Sequence, residues 1–291
     1  MTIAPSTLTW TWGEWTPLYH GIEQATHLND NLPFPAVPIP LKWPRPTIHL
    51  LRVRMDDPHI TTCSTPESGL NGNGVPLSEF LKTTFDPKTD EGVVGINANF
   101  FDMSDSNSRN VLYGLAVSTG ATVPWKPRPD GNPYYPLLVT NANQAAVGGA
   151  DAPRTPDTYT AVSGNVLLLR NGQLEVRPPT SPLVKTPLIA ARTAVGVSYD
   201  PDYLYLLAID GLETDDLKLP YYGASDFDAA VLLLMAGATD AINMDGGGST
   251  TMGRIDKGGF ALLNVPHGDD KPPITERFVG NCFGVISRVV S

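Results

Sequence analysis

The chain has 291 residues, 41% of them hydrophobic and 17% charged, which supplies a sizeable core for one large or two average domains and excludes disorder throughout. A net charge of −10 excludes a broad phosphate-tracking surface for nucleic acid. No apolar run approaches the roughly 20 residues that span a bilayer, which excludes a transmembrane helix.

Residues 1–46 read as a proline-rich arm. The stretch "LPFPAVPIPLKWPRP" holds six prolines, each removing a backbone donor, and favours extended polyproline-like structure, with Trp10, Trp12, Trp15 and Trp43 as anchors. The first residues lack a basic region followed by an apolar one, so the chain as given has no recognisable secretory signal. That favours a cytoplasmic or phage-associated protein over a secreted one.

Residues 47–291 read as the globular body. "TIHLLRVRMD" alternates as a strand does, and "VVGINANFF", "YGLAVS", "PLLVT" and "VLLLRNGQLEV" continue the pattern, the last with an Asn171-Gly172 hairpin signal. "TAVGVSYD" and "YLYLLAID" predict a second hairpin, and "FGVISRVV" closes the chain. Two helices interrupt the strands. "PLSEFLKTTF" (76–85) has helical apolar spacing, and "SDFDAAVLLLMAG" (225–237) opens on a Ser225/Asp228 capping box and ends at Gly237. The fold class is α+β, a strand-rich mixed-sheet body with a few packed helices in one domain.

The stretch "AINMDGGGST" (241–250) carries the chemistry. A buried strand delivers Asn243 and Asp245, and Gly246, Gly247 and Gly248 then give up side chains where a ligand or another backbone comes close. Successive amides in such a loop form an anion-binding nest, with Ser249, Thr250 and Thr251 adding hydroxyls. "GINANF" (95–100) echoes "AINMDG" (241–246), so two strands are expected to bring Asn97 and Asn99 beside Asn243 and Asp245. A tight glycine turn and chance similarity are the plain alternatives.

Other chemistries lack their signatures. There is no Walker lysine, no G-x-S-x-G elbow, and no zinc spacing among His20, His27, His49, His59 and His267. Cys63 and Cys282 read as two buried thiols more readily than as a bridge. "DMSDSNSRN" (102–110) and "DGLETDD" (210–216) leave room for a bound divalent cation such as calcium, though neither matches an EF-hand loop; no cofactor is required. Arg192 and Arg277 lie in apolar surroundings and need partners: an acid such as Asp210 for Arg192 and Glu276 for Arg277, or a ligand's phosphate or carboxylate gripped by guanidinium. In "ATVPWKPRPDGNPYYP" (121–136), Trp125, Tyr134 and Tyr135 either stack on a sugar or pack a long loop.

Together "INANFFD", "YGLAVSTG", "RTAVGVSYD", "YLYLLAIDG", "DAINMDGGGSTTM" and "ERFVGN" resemble the phosphodiester glycosidase family, in family order over about residues 47–290. The resemblance implies a catalytic domain that hydrolyses a sugar-1-phosphodiester at the glycosidic C1–O bond. It places Asn97, Arg192, Asp245, the 246–248 glycines, Ser249 and Arg277 at motif positions, with Asn99 where many members carry a small residue. On that reading Arg192, Arg277, the loop amides and Ser249 hold phosphate, and Asn97 and Asn243 bond sugar hydroxyls or phosphate. Asp245 activates water or attacks, with Glu276 as rival carboxylate. A hydrolase cutting P–O and a non-catalytic glycan or sugar-phosphate binder are the alternatives.

Overall fold

The computed structural model describes residues 12–27, 47–105, 107–177, 189–199, 203–211, 223–268 and 275–290. β1 (Thr16–Tyr19) and β2 (Ile22–His27) form a hairpin, and β3 (Ile48–Arg54) pairs with β2. β4 (Ile60–Ser64) leads to helix α1 (Leu77–Thr84) and then β5 (Asp90–Asn97). Four two-residue strands follow: β6 (Leu112–Tyr113), β7 (Val117–Ser118), β8 (Ala121–Thr122) and β9 (Trp125–Lys126). Next come β10 (Tyr135–Thr140), β11 (Ala145–Val147), β12 (Thr158–Gly164), β13 (Val166–Arg170) and β14 (Gln173–Leu174). β15 (Arg192–Val197), β16 (Tyr203–Ile209), helix α2 (Asp226–Ala236) and β17 (Asp240–Asn243) lead into the glycine loop. β18 (Met252–Asp256), β19 (Gly259–Leu262) and β20 (Cys282–Arg288) complete the body.

The strands build an eight-stranded sheet, β1-β2-β3-β16-β15-β17-β13-β14, and two five-stranded sheets, β19-β18-β5-β20-β4 and β11-β10-β12-β7-β8. β6 and β9 pair in parallel. The main core lies between the eight-stranded sheet and the other two: Leu51, Val53, Val195, Leu206 and Ile242 meet Val94, Ile96, Phe283, Leu137 and Val162. Ile48, Leu50, Ala194 and Leu207 on the opposite face pack on Ala229, Ala230 and Leu233 of α2. Leu77, Phe80 and Leu81 of α1 cover Val93, Ile255 and Ile286. The layers therefore run helix, sheet, sheet, helix.

This layering explains why β3 does not alternate between buried and exposed residues. Ile48 to Leu51 are all buried because α2 covers one face and a second sheet the other. Gly95 and Gly284 are register partners beneath α1. A Cβ at Gly95 would meet Leu81 and Leu77, and one at Gly284 would meet Phe80, so their missing side chains set how closely the helix sits.

The local signals hold. Ser225 caps α2 with both halves of the capping box present, and Gly237 takes the left-handed conformation at φ 106°. Asn171 and Gly172 both have positive φ between β13 and β14, as a tight hairpin needs. Cys63 and Cys282 are buried free thiols, and burial pushes Cys63 up to about 12. Of residues 1–46, the described part extends the eight-stranded sheet. Trp12 donates from Nε1 to the Leu232 carbonyl (3.1 Å), and Trp15 packs on the same side of the sheet. Trp10, Trp43 and the proline run lie outside the described residues. Among the described residues no helix is long and apolar enough to cross a membrane.

Candidate active site

The loop after β17 carries the chain from the eight-stranded sheet to the facing five-stranded sheet, where β18 pairs with β5. Asp245 is half-buried at the start of this crossing. Its amide donates to the Ala98 carbonyl (3.1 Å), and its carbonyl accepts from Asn97 Nδ2 (2.6 Å). The backbone bearing the acid is thus clamped by the residues that end β5. Gly246 N–H donates to Asp245 Oδ1 (3.1 Å) and Gly247 N–H to the Ala191 carbonyl (2.8 Å). Gly247 sits at φ 57°, and Gly247–Ser249 makes one 3-10 turn. A Cβ on Gly248 would strike the Gly268 carbonyl and the Arg277 guanidinium, which places Arg277 directly on the loop.

The echoing segments do meet, but their polar side chains take separate duties. Asn97 Oδ1 accepts from Thr193 Oγ1 (2.7 Å) and from Thr251 N–H (3.1 Å), so this buried amide ties three segments together. Asn99 is also buried, and its side chain bonds to residues other than Asp245. Its Nδ2 donates to the Tyr113 and Gly114 carbonyls (2.9 and 3.2 Å), and its Oδ1 accepts from Asn281 Nδ2 (3.1 Å) and Ser163 N–H (3.2 Å). Asn243 donates to Asn165 Oδ1 (3.0 Å) and the Met244 carbonyl (2.8 Å), while its own Oδ1 is buried with no hydrogen-bond partner among the described residues. The Thr250 hydroxyl is buried in the same state.

Arg277 lies on the loop through its guanidinium, whereas Arg192 brings its backbone close to Gly246 and bonds through its side chain to the start of α2. Arg192 is buried, donates from Nε to the Ala224 carbonyl (2.9 Å) and pairs through Nη1 with Asp226 Oδ1 (2.9 Å). Its acid is therefore Asp226, in the first turn of α2, where a carboxylate also suits the helix dipole. Arg277 donates to Ser249 Oγ (3.2 Å) and the Gly268 carbonyl (3.1 Å). Glu276, its chain neighbour, points elsewhere: its carboxylate accepts from the Ser78 amide (3.0 Å) and from the Ser78 hydroxyl, capping α1. Asp210 meets His49 Nε2 (3.4 Å), Asn264 Nδ2 (3.2 Å) and Val265 N–H (3.0 Å). Asn264 in turn donates to the Thr250 carbonyl (3.3 Å) and accepts from Met252 N–H (2.7 Å), steadying the far end of the loop.

An aromatic group stands beside the acid. Tyr134 is 2% exposed, stacks against Tyr113 (centroids 6.5 Å, planes 14° apart) and meets Phe100 at 6.1 Å. Burial pushes its phenol well above the ordinary tyrosine range; the Arg128 charge opposes the rise and the Asp245 carboxylate adds to it. Trp125 lies exposed, and Tyr135 is half-buried in β10. Phe100 and Tyr113 were not among the residues singled out in the sequence. Their signal was position, an aromatic directly after the polar end of a strand and another within the "YGLAVS" run. Asn264 and His49 offered no local signal at all. Asp102 and Asp105 accept from the nearby Ser104 and Asn107 amides, closing their own turns. Among the described residues no group of three or more His, Cys, Asp or Glu is placed to hold a metal ion, and most of 210–216 lies outside them.

The family model described as phosphodiester glycosidase matches residues 90–286, most of the chain, including Asn97, Arg192, the 245–251 loop and Arg277. The chain belongs to the phosphodiester glycosidase family. Membership implies a sugar-derived substrate. Its fold is similar to the catalytic domain of zebrafish N-acetylglucosamine-1-phosphodiester α-N-acetylglucosaminidase, auto-inhibited by its pro-peptide. The TM-score is 0.63 at 20% identity, over 97% of this chain and 86% of that one. A hypothetical protein from Synechocystis is also similar, with TM-score 0.53 and 15% identity over 92% of this chain and 62% of that one. At these identities the likeness concerns the fold. No curated protein matches this chain in sequence.

Proposed function

We propose that the protein hydrolyses a sugar-1-phosphodiester at the glycosidic C1–O bond, releasing a free sugar and a phosphomonoester. The observation that carries this reading is the short turn from Asp245 to Ser249, with a half-buried carboxylate at its first residue and Arg277 lying on Gly248 and Ser249. A glycosidase with a sugar leaving group needs a second carboxyl to protonate it. A phosphomonoester leaves more readily, since its second pKa is about 6, so one carboxylate and a cationic cradle suffice. Asp245 activates water or attacks the anomeric carbon, and Arg277 with Ser249 steadies the departing phosphate.

The other residues act in support. Arg192, paired with Asp226, holds the start of α2 against the strand whose backbone underlies Gly246. Asn97 fixes the Asp245 backbone. The reaction so written needs no metal, and turnover is expected to persist in chelator.

The test is a panel of sugar-1-phosphodiesters assayed for released reducing sugar in heavy-oxygen water. It begins with N-acetylglucosamine, the sugar in the zebrafish relative's name. The expected result is solvent oxygen on the sugar. Label on the phosphate instead supports P–O cleavage, and saturable binding without turnover supports a binding protein.

A further inference from the structure

The rings of Phe100, Tyr113 and Tyr134 come from three segments, yet their backbones are locked together. Tyr113 N–H donates to the Phe100 carbonyl (2.8 Å), and Asn99 Nδ2 donates to the Tyr113 carbonyl (2.9 Å). Gly114 has φ 78°, and a Cβ there would collide with Tyr134 Cβ (2.8 Å) and Ser163 Cβ (2.7 Å), so only glycine lets the tyrosine sit behind Tyr113. Tyr134 is bonded at both ends of its peptide to Asp151, N–H to Oδ1 (2.9 Å) and carbonyl from N–H (2.7 Å). The result is a rigid wall in which Tyr134 is buried while Phe100 and Tyr113 keep part of their surface.

The wall stands next to the acid. Ala98, two residues before Phe100, accepts the Asp245 amide bond (3.1 Å). The Tyr134 phenol feels both the Asp245 carboxylate and the half-buried Arg128 guanidinium. A pyranose has a C–H face that packs on aromatic rings, with hydroxyls at its rim that need polar partners. Partly exposed aromatics beside a cation offer both.

We propose that Phe100 and Tyr113, backed by Tyr134, form the platform on which the substrate's sugar ring stacks. This selects a pyranose over an acyclic or alkyl group carried on the same phosphate. The inference rests on the reading of Asp245 as the reacting carboxylate, since it assigns the sugar to the Phe100 side of that acid.

The experiment compares wild type with Tyr113→Leu, Phe100→Leu and Tyr113→Phe. Calorimetry measures their affinity for a pyranose 1-phosphate and for inorganic phosphate, and kcat/KM is measured on a pyranose diester. Each leucine variant is expected to weaken the pyranose 1-phosphate about three- to tenfold and leave inorganic phosphate unchanged, with Tyr113→Phe close to wild type. Saturation-transfer NMR on wild type, which needs no variant to fold, is expected to show aromatic protons against the sugar's ring protons. Leucine variants that bind and react as wild type, or a wild type that binds the pyranose 1-phosphate no better than phosphate, overturn the platform. A wild type with Tyr113-dependent binding but no turnover of any diester keeps the platform and overturns the hydrolase reading.

Discussion

β5 and β17 end in nearly the same letters and meet in space, yet their polar side chains are spent differently. At the β5 end, Asn97 and Asn99 are buried and their side-chain amides are bonded to backbone and neighbouring side chains. At the β17 end, Asn243 is also buried, with only its Nδ2 bonded among the described residues, but Asp245 stays half-buried with its main chain held and its carboxylate at the lip of the glycine turn. The first end makes a frame, and the second presents a reactive group held by that frame. An acid kept in one place by bonds to its own backbone loses little entropy when it meets substrate, which is what positioned catalysis requires.

The largest expected effect comes from the β17 end. Asp245→Asn keeps the shape and removes the charge, and is expected to lower kcat by about 10²–10⁴ with the melting temperature nearly unchanged, measured on one diester and by thermal unfolding. Arg277→Ala removes the donor lying on Gly248 and is expected to cost about 10²–10³ in kcat/KM. The β5 end should respond in the opposite sense. Asn99→Leu strips partners from three carbonyls, the Ser163 amide and the Asn281 side-chain amide and is expected to cost about 2–3 kcal/mol by chemical denaturation, with kcat of the folded fraction within about threefold of wild type. Glu276→Gln keeps an acceptor for Ser78 and is expected to cost about 0.5–1 kcal/mol with little change in turnover. Loss of turnover in Asn99→Leu without loss of stability would erase the distinction between frame and reactive group.

Much of this was legible in the sequence, because local rules decide local features. The Ser225 capping box, the Asn171-Gly172 turn and the two-strand delivery of Asn97 and Asp245 are written in adjacent residues. Side-chain direction is not. Nothing near Glu276 shows that it caps a helix starting at Leu77, or that Arg192 finds its acid in Asp226 instead of Asp210. The burial of β3 on both faces depends on α2 and a second sheet, far away in the chain. The Asp210–Asn264–Thr250 chain of bonds likewise joins residues whose spacing carries no period.

The most direct measurement is the ratio of kcat/KM for Asp245→Asn to that for Glu276→Gln on the same sugar phosphodiester. If the half-buried acid of the glycine crossing breaks the bond and the α1 cap only holds the fold, the first variant falls at least about a hundredfold below the second. The reverse order, with Glu276→Gln inactive and Asp245→Asn near wild type, contradicts the account.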